Sequence, residues 1–145
     1  MRIAVFSDTH NSYPPTLPEQ IKDADELWHL GDVCDPAVLE EIGLLGPPLY
    51  VIQGNCDVHS AWPASLTLER EGVRFYLTHI PPALAPKGVD VVLHGHIHVP
   101  RDEMMDGVRW LNPGSISEPR RGQPASFAWL TVKQGQVVSW EVVSV

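Results

Sequence analysis

The chain repeats one association at five places: a short apolar run is followed at once by side chains able to hold a metal ion. Residues 3–6 lead into Ser7-Asp8-Thr9-His10, and residues 27–30 into Gly31-Asp32. Residues 49–52 lead into Gln53-Gly54-Asn55-Cys56-Asp57. The run ending at Leu77 leads into Thr78-His79, and residues 89–93 into His94-Gly95-His96-Ile97-His98. Unbroken apolar runs of this length read as strands buried on both faces. Residues 16–24 and 36–44 lie between the first three and predict helices, the second with Pro36 in its first turn and Asp35 as N-cap. A β-α-β-α-β order predicts a parallel sheet covered by helices, and the carboxyl ends of its strands share one crevice. Five loops are therefore expected to meet at one site.

Beyond residue 60 the pattern is β-rich. Residues 65–70 and 73–78 alternate around Glu71-Gly72 and predict a hairpin. Residues 89–93 predict a buried strand, residues 108–111 a strand after the Asp106-Gly107 turn, and residues 126–133 and 137–143 a last hairpin around Gln134-Gly135. Two facing sheets with helices outside would bury these runs. With 145 residues and no internal repeat or linker, residues 1–145 are expected to form one domain.

Asp8 and His10 are two apart, as are His96 and His98, so in extended backbone each pair would point one way. Gly31, Gly54 and Gly95 each precede a candidate ligand, where a missing side chain permits close backbone approach. Asp, His and Asn donors suit borderline to hard divalent ions, namely manganese, iron, nickel or zinc, and not a cysteine-rich structural zinc site. Asp8, His10, Asp32, Asn55, His79, His96 and His98 are too many for one ion and fit two, with one carboxylate shared. The formal charge of −8 leaves no basic footprint for a nucleic-acid backbone, and phosphate handling would need cations to offset repulsion. No apolar run reaches the ~20 residues of a membrane span, and the N-terminus lacks a signal-peptide pattern, so a cytoplasmic protein is expected. In that compartment Cys34 and Cys56, which lack CxxC spacing, are expected to be free thiols.

Taken in order, Asp8-x-His10, Gly31-Asp32, Gly54-Asn55, His79 and Gly95-His96-Ile97-His98 resemble the calcineurin-like metallophosphoesterases. The strings Gly54-Asn55-Cys56-Asp57 and Asn112-Pro113-Gly114-Ser115 resemble in particular the small bacterial and archaeal phosphodiesterases of that family. The resemblance implies an α/β fold built as a four-layer α-β-β-α sandwich around two divalent metal ions, manganese being expected first. It assigns Asp8, His10, Asp32 and His98 to one ion and Asp32, Asn55, His79 and His96 to the other. A hydroxide bridging the ions would attack the phosphorus of a small phosphate ester in line, a diester in preference to a monoester. Asn55, Cys56 and Asp57 are the catalytic candidates, and Asn55, His79 and Arg120 the substrate contacts. A homodimer is compatible with the family. The competing class is a non-catalytic scaffold on the same fold, as in a retromer subunit with a degenerate metal site.

Two positions depart from the family pattern. Cys56 stands where many members carry histidine, and a thiol is a poor proton donor to a leaving alkoxide; activated leaving groups are then favoured, and His59 is either a substitute donor or, the favoured reading, a surface residue. Ile80 stands where small residues are usual and would narrow the cleft. Asp57 is expected to orient the site, and Asn112–Ser115 to support the His96/His98 loop. His29, His94 and Cys34 are expected in the core, and Arg120 and Arg121 either on phosphate or in solvent.

Overall fold

The computed structural model describes residues 1–57 and 61–145. β1 (Arg2–Phe6), β2 (Glu26–His29) and β3 (Leu49–Val51) are parallel. They are joined by α1 (Leu17–Ile21), and by a 3-10 turn (Pro36–Leu39) that runs into α2 (Glu40–Gly43). The Asp35 carboxylate accepts the Ala37 amide at 3.0 Å, as expected of an N-cap before Pro36. Both helices are shorter than the sequence predicts. Pro14 and Pro15 precede α1, and the Asp25 carboxylate accepts the amide of Arg2, which fixes the chain in β1 register soon after Ile21.

The C-terminal hairpin, β9 (Ser126–Lys133) and β10 (Gln136–Ser144), adds to β1 antiparallel and completes a sheet of order β10-β9-β1-β2-β3. In the second sheet, β4 (Ser65–Arg70) and β5 (Val73–Thr78) form the expected hairpin. β6 (Val91–His94) and β8 (Val108–Asn112) run parallel to β5, and β7 (Arg101–Met105) closes the edge, giving the order β4-β5-β6-β8-β7. The hairpin turns hold paired left-handed residues, Glu71 and Gly72 at φ 52° and 82°, Gln134 and Gly135 at 49° and 78°. That geometry matches the twist of the flanking strands.

The sheets face each other over Ile3, Val5, Trp28 and Leu30 on one side and Phe75, Leu77, Leu93 and Leu111 on the other. Alternate residues Ala4, Phe6 and Leu27 face the helices, against Leu17, Ile21 and Ile42. Burial on both faces explains why these strands read as continuous apolar runs. The outer face of the second sheet, Val92 and Trp110, is covered by the irregular stretch carrying Ala85 and Val89. The fold is thus the expected α/β sandwich, with a loop where a helix would form the fourth layer.

β1, β2, β5 and β6 finish at one end of the sandwich. Their loops are tied by backbone hydrogen bonds: Asp8 N to Gly31 O at 3.0 Å, His10 N to Asp32 O at 3.0 Å, and Gly95 N to His79 O at 3.1 Å. The shared crevice is assembled from both sheets.

Candidate metal centre

Asp8 is fully buried just past β1. Its Oδ2 accepts the Ser7 hydroxyl at 2.6 Å and the His96 amide at 3.3 Å. Its Oδ1 has no hydrogen-bond partner among the described residues. Around that oxygen stand His98 Nε2 at 3.0 Å, His10 Nε2 at 3.7 Å and His79 Nε2 at 3.9 Å. Asp32 Oδ2 lies 3.3 Å from His79 Nε2 and 3.7 Å from His10 Nε2, so this carboxylate sits between the two groups of histidines. His96 Nδ1 lies 3.1 Å from Asn55 Oδ1, and its ring stands edge-on to that of His79 with centroids 5.2 Å apart. All seven residues singled out by the sequence therefore lie around one space.

His79 Nδ1 donates to the Leu30 carbonyl at 2.7 Å, and His98 Nδ1 to the Glu118 carbonyl at 2.6 Å. Each bond leaves Nε2 with a lone pair facing the carboxylates. Among the described residues, the buried atoms Asp8 Oδ1, His10 Nε2 and His79 Nε2 all lack hydrogen-bond partners. Three buried polar groups left unpaired and converging cost free energy that a bound cation returns. The donor set and its orientation fit divalent metal ions.

The convergence is achieved differently from the expected extended pairs. Asp8, His10, Asp32, His96 and His98 all have left-handed backbone, at φ 59°, 42°, 59°, 69° and 57°. Each such residue costs ~1–3 kcal/mol unless its surroundings enforce it. Here the enforcement is visible. The Asp57 carboxylate accepts amides from Asp32 at 2.8 Å, Gly54 at 2.8 Å, Cys34 at 2.7 Å and Val33 at 3.3 Å, joining two ligand loops. A Cβ at Gly54 would collide with the Asp32 backbone and carboxylate, and one at Gly95 with Ser7 Oγ and Asp8 Oδ2. Asn112 Nδ2 donates to the Gly95 carbonyl at 2.9 Å, and Ser115 and Ser117 hydroxyls donate to the Asp8 carbonyl. The Asn112–Ser115 turn thus braces both the His96/His98 loop and the Asp8 loop.

The carboxylates of Asp8 and Asp32 and the histidine rings shift one another's protonation. Burial would raise the pKa of Asp8, but the ring nitrogens of His10 and His98 and the Ser7 hydroxyl hold it well below the usual carboxylate range. Asp32 is likewise pulled down against burial, by His79 and the Cys56 amide. Asp8 raises His10 and His98, and Asp32 raises His79 against its burial. A space that raises three histidines in this way favours any cation placed there.

Cys34 and Cys56 form a disulfide with Cα atoms 5.4 Å apart, which corrects the expectation of free thiols. The fold brings together two cysteines 22 positions apart, one just after Asp32 and the other just after Asn55. With its sulfur bonded, Cys56 has no proton to donate. Its amide donates to Asp32 Oδ1 at 2.9 Å. His29 and His94 are buried as expected, and burial takes both down to about 4. His29 accepts the Gly31 amide at 3.0 Å and faces the Thr9 hydroxyl at 3.2 Å. Arg120 is exposed and its amide donates to the His98 carbonyl at 3.2 Å, beside the ligand loop. Arg121 is exposed in the same loop. Ile80 is 52% exposed and borders a cleft of ≈ 250 Å³ with Asn55 and His79. His59 lies outside the described residues. Sequence reasoning did not single out Ser7, Ser117 or the Glu118 carbonyl; a second serine after Asn112–Ser115 was the one available signal for Ser117.

A family model described as the calcineurin-like phosphoesterase superfamily domain matches residues 1–135. The chain belongs to that superfamily. It is 31% identical to a probable metallophosphoesterase of Methanothermobacter thermautotrophicus, over 86% of this chain and 83% of that one. It is 30% identical to phosphodiesterase YfcE of Escherichia coli K12, over 90% of this chain and 87% of the relative. The solved structure of E. coli YfcE, described as a phosphoesterase, superposes with a TM-score of 0.77 at 25% identity, covering 97% of this chain and 98% of that one. Vps29 of Entamoeba histolytica, solved in complex with zinc, shares the fold with a TM-score of 0.79 at 17% identity, covering 100% and 98%. The homologues support a phosphoesterase hydrolase, and metal is the family's cofactor. None of the helices among the described residues is long and apolar enough to cross a membrane.

Proposed function

We propose that the protein is a phosphodiesterase dependent on two divalent metal ions, manganese foremost, that acts on a small phosphate ester in the cytoplasm. The observation that carries this reading is the convergence of Asp8 Oδ1, His10 Nε2 and His79 Nε2, buried and without hydrogen-bond partners among the described residues, on one space beside Asp32. Asp8, His10 and His98 would hold one ion, and Asn55, His79 and His96 the other, with Asp32 shared. When bound, such a pair supplies Lewis acidity and activates a water for attack on phosphorus at neutral pH.

The chain's own residues do the rest. Leu30 and Glu118 carbonyls hold the Nδ1 protons of His79 and His98, so both rings present Nε2 as a lone pair. Asn55 is exposed and His96 half-buried, which leaves their side of the space open to substrate. Asn55, His79 and the Arg120 guanidinium would orient the phosphate oxygens. Because Cys56 has no proton to give while it is in the disulfide, the site favours esters whose leaving group departs as a stable anion. A diester suits this acidic protein better than a dianionic monoester, since it brings one negative charge fewer.

The test is hydrolysis of bis(p-nitrophenyl) phosphate and p-nitrophenyl phosphate by the manganese-loaded protein. Faster turnover of the diester supports the reading. No turnover of either with both ions bound would refute it and favour a binding role.

A further inference from the structure

Cys34 and Cys56 each follow a candidate ligand within two residues, and their bond closes the mouth of two ligand loops. Cys34 Sγ lies 3.6 Å from His10 Nδ1. The other two histidines facing Asp8 rest their Nδ1 atoms on backbone carbonyls. Among the described residues, His10 Nδ1 has this sulfur alone as a partner. The chemistry at that contact depends on redox state. A disulfide sulfur carries no hydrogen and can only accept, so the proton stays on Nδ1 and Nε2 is free for a cation. A thiol can donate instead, which places the imidazole proton on Nε2, pointing at Asp8 and Asp32 and blocking the site. The bond also fixes Cys56, whose amide holds Asp32 Oδ1, against Cys34, whose amide is held by Asp57.

We propose that the Cys34–Cys56 pair is a redox control on the metal centre, the disulfide form binding metal more tightly than the dithiol form. The step is thiol–disulfide exchange with a small disulfide such as glutathione disulfide. One cysteine thiolate attacks it, releasing one thiol and forming a mixed disulfide. The second cysteine then attacks the protein sulfur and expels the other thiol, so two electrons and two protons pass from the cysteine pair to glutathione disulfide, which leaves as two glutathione thiols. Disulfides found in reducing compartments are typically of this switching kind. The proposal rests on the metal-site reading above, though not on the phosphodiesterase activity.

The experiment compares the purified protein after glutathione disulfide with the same protein after tris(2-carboxyethyl)phosphine, each desalted. Thiols are counted under denaturing conditions, manganese affinity is measured by equilibrium titration, and the His10 tautomer is read from ¹⁵N chemical shifts. The expected result is no free thiol in the oxidised form, two in the reduced form, and metal affinity lower on reduction by about ten- to a hundredfold, the usual loss when a ligand's supporting partner is removed. The His10 proton should move from Nδ1 to Nε2 in the metal-free reduced protein. Cys34→Ala cannot form the bond, so it should bind metal less tightly than the oxidised form and ignore the reductant, with its circular dichroism confirming that it folds. Two free thiols after glutathione disulfide, equal affinity in both redox states, or a reductant response in Cys34→Ala would each overturn the proposal. Redox-dependent affinity without hydrolysis at saturating manganese would strike down the phosphodiesterase reading and leave this one standing; hydrolysis with redox-independent affinity would do the reverse.

Discussion

His79 Nδ1 donates to the backbone carbonyl of Leu30 at 2.7 Å, so the end of a strand in one sheet sets the ring orientation of a residue from the other. The candidate metal space is therefore lined from both sheets. His79→Ala should lower kcat/KM on an aryl diester by at least about a hundredfold, the scale of losing a metal-centre group. Metal analysis should show fewer than two ions per chain. Asn55→Ala should likewise abolish turnover. Full rates in either variant would refute the ligand assignment.

Asp57 is predicted to matter for folding as well as for the site. Its 3%-exposed carboxylate accepts four backbone amides. Asp57→Ala leaves those donors buried and unpaired, at ~1–3 kcal/mol each before relaxation. We expect a loss of about 3–5 kcal/mol in urea unfolding, with Asp57→Asn losing less because it keeps an acceptor. A loss under about 1 kcal/mol would show that the amides find other partners.

Gly95→Ala should reduce metal binding without removing a ligand. Its Cβ would collide with Ser7 Oγ and sit 2.9 Å from Asp8 Oδ2. Calorimetric titration with manganese should show weaker affinity than in the parent protein; unchanged affinity would mean that the loop shifts without moving Asp8.

Stability of the metal-free protein should peak near pH 6.5. The folded pKa values of His10, His79 and His98 lie above 6.5, so the folded state binds more protons there and stability is lost as pH rises through those values. His29 and His94 lie near 4, so from 6.5 down to about 4 the unfolded chain takes up protons that the folded state refuses, and stability falls again. Bound metal keeps the ligand histidines deprotonated and should remove the alkaline-side loss. Thermal melts from pH 4 to 9, with EDTA and with manganese, check both limbs.

The strands that carry the ligands were legible because Ile3, Val5, Trp28, Leu30 and Leu93 are buried in one core and leave no polar alternation. β7 was not: Arg101–Met105 is an edge strand with an exposed, charged face and no apolar pattern. The seven converging side chains were legible from their position at strand ends. Their backbone was not, because the left-handed residues Asp8, His10 and His98 are held by partners far along the chain: Ser115 and Ser117 on the Asp8 carbonyl, the Asp32 carbonyl on the His10 amide, and the Arg120 amide on the His98 carbonyl. The disulfide was hidden for the same reason. A spacing of 22 positions says nothing of a 5.4 Å Cα separation that only the loop packing creates.

The most direct measurement is anomalous diffraction from crystals of the manganese-loaded protein, collected near the manganese edge. Two peaks ~3.5–4 Å apart are expected, on either side of the Asp32 carboxylate, with Asp8, His10 and His98 around one and Asn55, His79 and His96 around the other. A lone peak away from these side chains, or none, would contradict the account.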